Sequence, residues 1–79
     1  MNPNEYCANK LKELRKSKNL TQQELAEGLN IKQQQIARYE NNQRQFKQNF
    51  LFQLADYFDI PISEFFPTFN EKSKTNETA

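Results

Sequence analysis

Apolar side chains recur along this chain at helical spacing, in short stretches separated by polar residues. Cys7, Leu11, Leu14 and Lys18 stand at i, i+4, i+7 and i+11, a single stripe that ends in a basic turn. Asn4 is placed to cap the helix this stripe predicts, and Asn19-Leu20 interrupts it. Thr21-Gln22-Gln23-Glu24 has the spacing of a capping box, in which the threonine hydroxyl and the glutamate carboxylate each satisfy the other residue's backbone N–H. Leu20 just before that cap and Leu25 four residues after it occupy the positions of a hydrophobic staple. Leu25, Ala26 and Leu29 give a short second helix its inward face, and Asn30 is placed to end it in the left-handed conformation.

A third helix is expected from about Lys32 to Glu40, carrying Ile36, Tyr39 and Glu40 and stopping at Asn41-Asn42. So short a link from Leu29 to Lys32 suits only two helices that cross steeply. After a polar loop to Lys47, Phe50, Leu51, Leu54, Ala55 and Phe58 mark a fourth helix. Pro61 is placed to open a last short helix, Ile62 to Phe66, which Pro67 stops. No strand-like alternation and no internal repeat occurs. The expectation is an all-α domain over residues 1–66, followed by a polar C-terminal tail over 67–79.

Composition narrows the function. A chain of 79 residues with 35% hydrophobic residues and a mean hydropathy of −1.05 makes one small domain with a compact core. It has no histidine, no tryptophan and one cysteine, so a disulfide framework and a zinc finger are excluded and the usual nucleophile–base pairs lack their base. No catalytic set, metal site or cofactor site can be named, and the chain reads as a binding module rather than an enzyme. No apolar run approaches the length of a membrane span, and Met1-Asn2-Pro3-Asn4-Glu5 lacks the features of a secretory signal. The expected location is the cytoplasm, with Cys7 a small core hydrophobe.

The net charge of +1 hides a division. From Asn9 to Phe50, nine basic residues face four acidic ones, a balance of +5. The remainder holds two lysines against six acidic residues, a balance of −4. The first part suits phosphates, the second something else.

The informative segment is Thr21 to Glu40. Two short helices at this spacing, the second polar at its start, form a helix-turn-helix whose second helix enters a major groove. Gln33-Gln34-Gln35 opens that helix before its first buried residue, and a glutamine amide pairs a donor with an acceptor as adenine N6 and N7 require. Gln22, in the first turn of the second helix, sits where unpaired N–H groups favour a phosphate oxygen; it can clamp that phosphate or brace Gln33.

Leu14-Arg15, Leu20-Thr21-Gln22-Gln23-Glu24-Leu25-Ala26, Leu29-Asn30-Ile31, Ile36 and Tyr39-Glu40-Asn41-Asn42 together resemble the Cro/C1-type helix-turn-helix family, also called the Xre family. The continuation through Leu54-Ala55, Ile60-Pro61-Ile62 and Phe65-Phe66 fits its later helices. The resemblance implies a five-helix, lambda-repressor-like domain that binds double-stranded operator DNA as a dimer. Carried over by position, Gln33, Gln34, Gln35 and Arg38 read bases, with Gln35 at the edge of that set. Gln22, Lys32, Arg44, Lys47, Gln48 and Asn49 hold the phosphate backbone. Arg15 and Glu40 match the family's buried ion pair. Asn30 stands where the family usually has its turn glycine, while Gly28 falls inside the helix. Lys32 replaces a Ser/Thr cap, Asn41-Asn42 replaces Asn-Gly, and Phe46 replaces a frequent loop proline.

Phe50 and Phe58 are expected in the core. Phe65, Phe66 and Phe69 cannot all turn inward from one short helix and a tail; with Ile62 they form a candidate apolar patch, and the resemblance implies a homodimer contact there. The expected function is a sequence-specific transcriptional regulator, a repressor or autoregulator on a near-palindromic operator. The alternative is an antitoxin-like module that neutralises a protein partner and represses its own promoter.

Overall fold

A computed structural model describes residues 2–66. Its elements are α1 (Pro3–Ser17), α2 (Gln22–Leu29), α3 (Gln33–Glu40), α4 (Gln48–Phe58) and a 3₁₀ turn (Ile62–Phe65). The all-helical class is as expected, but the fifth helix is this single 3₁₀ turn. The proposed tail and Phe69 lie outside the described residues.

Asn4 does not cap α1. Asn2 does, its side-chain oxygen accepting from Glu5 N–H at 2.7 Å. Pro3 decides the matter: it takes the first helical position, where its missing N–H removes no intrahelical bond. The capping box at α2 forms in both directions, with Glu24 N–H donating to Thr21 Oγ1 at 3.0 Å and Thr21 N–H donating to Glu24 Oε1 at 2.9 Å. α3 and α4 instead begin behind Lys32 and Lys47, and neither lysine makes a side-chain capping bond.

The four α-helices end alike. Asn19, Asn30, Asn42 and Asp59 are left-handed, with φ of 58°, 60°, 59° and 56°. After each, a backbone N–H reaches back five residues, from Leu20 to Arg15 O, Ile31 to Ala26 O, Gln43 to Arg38 O and Ile60 to Ala55 O, at 2.8–3.1 Å. Short Asx side chains tolerate this conformation, so the chain turns four times without glycine. The one glycine serves close packing. A Cβ on Gly28 would lie 2.6–2.8 Å from the ring and hydroxyl of Tyr57 on α4.

Leu11, Leu25, Ile36, Leu54 and Phe65 are the largest fully buried side chains, drawn from every element. Leu14, Leu20, Ile31, Phe50, Ile60 and Ile62 pack around them. Phe65 corrects the expectation of an exposed cluster. The 3₁₀ turn packs on α1 and α4 and inserts Phe65 between them at 0% exposure, so it offers no surface to a partner. The buried Cys7 thiol donates to Phe65 O at 3.3 Å, and burial pushes its pKa up to about 11.

Candidate nucleic-acid interface

The helix-turn-helix is fixed at each joint. The capping box holds the start of α2. At its end, Gln53 of α4 donates to Leu29 O at 3.0 Å, supplying a partner for a terminal carbonyl. Ile36 is fully buried on the inner face of α3, which turns Gln34 and Arg38, four residues apart, outward on a shared face. Both are exposed, and neither has a side-chain partner among the described residues. Gln33, Gln34, Lys32, Ile31 and Gln23 line an open depression of about 480 Å³ where α3 begins.

Behind that surface a hydrogen-bonded chain leads into the core. Arg15 Nε donates to Glu40 Oε2 at 2.6 Å and its Nη2 to Oε1 at 3.1 Å, while Nη1 reaches Leu20 O at 2.7 Å. This is the expected ion pair, and it ties α1 to the end of α3 and to the turn before α2. The hydrogen bond it donates to Glu40 raises the Arg15 pKa further above its ordinary range. Glu40 is 4% exposed, so loss of Arg15 would strand a buried charge, at about 3–5 kcal/mol. Gln22 then donates to Glu40 Oε1 at 3.1 Å, and Gln33 donates to Gln22 Oε1 at 2.7 Å. Of the two roles open to Gln22, bracing Gln33 is the one formed here.

A second assembly sets the loop after α3. Arg44 donates to Gln35 Oε1, and its guanidinium lies 5.4 Å from the centroid of the Tyr39 ring. Gln35 is thus joined to Arg44, away from Gln33 and Gln34. Tyr39 stacks on Phe50 at 4.2 Å and meets Phe46 at 4.8 Å, which carries the loop onto the core. Asn4 clamps the same loop from α1, donating to Asn42 Oδ1 at 2.6 Å and Arg44 O at 3.1 Å and accepting from Phe46 N–H at 2.8 Å. The sequence reading missed both anchors. Phe46 was legible as an aromatic in a polar loop.

Lys32, Lys47, Gln48 and Asn49 are exposed at the starts of α3 and α4. Lys10, counted with the basic segment, is held by Glu13 at 3.3 Å and Glu64 at 3.1 Å. Of the expected dimer contact, Ile62 is half-buried against the core and Phe66 is exposed. Phe52 and Tyr57 on α4 are exposed as well, and the sequence reading did not single them out. Phe52 falls off the stripe of Leu51, Leu54, Ala55 and Phe58, which is the signal that could have shown it.

No helix among the described residues is long and apolar enough to cross a membrane. Residues 11–65, more than half of the chain, match the family model described as helix-turn-helix. No curated protein matches the chain.

Proposed function

The chain belongs to the Cro/C1-type helix-turn-helix family of DNA-binding transcriptional regulators, and from that premise we propose that it is a cytoplasmic repressor or autoregulator. It binds a near-palindromic operator as a homodimer. Residues 1–66 form the DNA-binding unit, with 67–79 outside it. The observation that carries this reading is the outward face of α3. Gln33, Gln34 and Arg38 stand on a helix locked from behind by Ile36 and by the chain through Gln22.

Gln33 and Gln34 read base edges in the major groove, joined by Arg38. Gln22, Lys32, Arg44, Lys47, Gln48 and Asn49 hold the phosphates on either side. The starts of α3 and α4 support this role, because their first N–H groups have no side-chain cap and each stands behind a lysine. Gln35 braces Arg44 over Tyr39 rather than reading a base itself. Two protomers joined through the surface around Ile62 and Phe66 would place their α3 helices about 34 Å apart, in successive major grooves.

A random-site DNA selection tests the proposal, with half-site spacing read from the enriched sequences. Gln33→Ala should relax the preference at one position of each half-site. Arg44→Ala should weaken all sequences alike and lower the salt slope by ~0.9 for each phosphate the protein no longer meets. If Gln33→Ala enriches the same operator as the native protein, the assignment of α3 as the reading helix is wrong.

A further inference from the structure

The amide of Gln33 has its direction set from the core. A glutamine amide looks nearly symmetrical, and its two ends exchange by a simple flip, so its hydrogen-bond partners decide which end faces where. Here the decision begins at Glu40. Arg15 donates to both of its oxygens, and as a carboxylate it offers only acceptors. Gln22 must therefore turn its NH₂ toward Glu40, which leaves Gln22 Oε1 pointing at Gln33. That oxygen accepts from Gln33 Nε2 at 2.7 Å. Gln33 keeps one N–H and its Oε1 unused, a donor and an acceptor side by side. With the chain reversed, Gln33 would instead accept from Gln22 and present only N–H donors.

We propose that Glu40, acting through Gln22, is a specificity-determining residue that makes Gln33 read adenine and reject guanine. Adenine offers the N6 amino donor beside the N7 acceptor, which complements an amide presenting oxygen and N–H together. Guanine offers O6 and N7, both acceptors, which complement an amide presenting N–H groups alone. The buried carboxylate never touches DNA. It acts as a positioning residue, fixing a one-way order of donors from Arg15 and Gln22 to the helix surface. This inference rests on Gln33 reading a base, and the test separates the two.

Random-site selection on the full chain is run for the native protein, Gln33→Ala, Gln22→Met and Glu40→Gln, with folding checked by circular dichroism. The position at which Gln33→Ala loses preference identifies the base that Gln33 reads. The native protein should favour adenine over guanine there by about tenfold or more. Gln22→Met keeps side-chain length, removes the relay and leaves the capping box of α2 intact. It should bring the adenine-to-guanine ratio to within a few-fold of one, because the freed amide adopts both directions. Were Gln22 only a phosphate ligand, the same substitution would lower affinity uniformly and leave that ratio unchanged. Glu40→Gln supplies an amide that can donate toward Gln22, permits the reversed order, and should raise guanine at that position. A native preference for guanine overturns the inference, as does a folded Gln22→Met protein with the full adenine preference. If Gln33→Ala changes no position, the reading of Gln33 as a base contact falls first and takes the inference with it.

Discussion

Replacing Asn4 with alanine removes three hydrogen bonds that tie α1 to the loop carrying Arg44. Their contributions differ. The two that Asn4 donates, to Asn42 Oδ1 and Arg44 O, are solvent-accessible, and their acceptors rehydrate, so each contributes ~0.5 kcal/mol. The third is partly buried. Without Asn4 Oδ1 the Phe46 N–H is left beside the Tyr39–Phe46–Phe50 cluster without its partner, at ~1–3 kcal/mol. Alanine returns roughly 0.5 kcal/mol of helix propensity in α1. The net loss should be about 1.5–3.5 kcal/mol, a fall in Tm of about 6–28 °C for a domain of this size.

Asn4→Asp is the control. It retains the acceptor for Phe46 N–H, removes both donors and places a negative charge in the first turn of α1, where the helix dipole favours it. It should therefore cost under about 1 kcal/mol. Urea denaturation followed by circular dichroism measures both variants. If Asn4→Ala lies within ~0.5 kcal/mol of the native protein, or Asn4→Asp is as damaging as Asn4→Ala, the bond to Phe46 N–H does not supply most of the stabilisation and the reasoning fails.

Two further predictions concern packing. Gly28→Ala gains ~1 kcal/mol of helix propensity but drives a methyl into Tyr57, a half-exposed side chain that can swing outward. The gain should appear only in a Tyr57→Ala background, so a double-mutant cycle should give a coupling of ~1 kcal/mol; additive effects would show that the contact does not matter. Burial pushes the Cys7 thiol from its ordinary value of 9.0 to about 11, so native protein at pH 8 should resist iodoacetamide while the unfolded chain reacts. The unfolded chain releases this proton first as pH rises, so the native state loses stability between about pH 9 and pH 11, and Cys7→Ala should remove that part of the slope.

What the sequence revealed was governed by rules that act within a turn or two of helix. Thr21 and Glu24 specify their capping box across three residues, and Asn30 announces a left-handed helix end by its own side chain. The inward stripes of α2 and α4 follow from helical period alone. The outline of the proposed reading surface was legible too: Gln33 and Gln34 stand just before the buried Ile36, and Arg38 is carried over by position from the family resemblance. What stayed hidden depends on pairs far apart in the chain. Asn2 and Asn4 are both good caps, and only Pro3 between them and a loop about forty residues away assign one to the helix and the other to the clamp. Phe65 reads as surplus apolar surface until α1 and α4 close over it. Gln35 reads like its two neighbours until Arg44, on the far side of a turn, engages it.

The distribution of charge bears on how such a chain holds DNA. The nine basic residues between Asn9 and Phe50 overstate the cations that phosphates meet, because Arg15 is committed to Glu40 and Lys10 to Glu13 and Glu64. The cations at the proposed interface are Lys32, Arg38, Arg44 and Lys47, all exposed and without an ion pair among the described residues. Even if each met a phosphate, one protomer would have a salt slope of only about −3.6, and its non-specific affinity would be modest at physiological salt. On the proposed reading, affinity then rests on base contacts, chiefly those of the uncharged Gln33 and Gln34 amides, whose value depends on geometry. A few kcal/mol from one half-site is too little to find an operator among competing sequences, whereas two half-sites add their free energies. In the proposed complex, weak phosphate attraction and a rigidly oriented reading amide would be complementary: the first would keep the protein from settling on arbitrary DNA, and the second would make a paired site worth occupying. On the proposed interface, the same reasoning favours the proposed homodimer over a lone protomer.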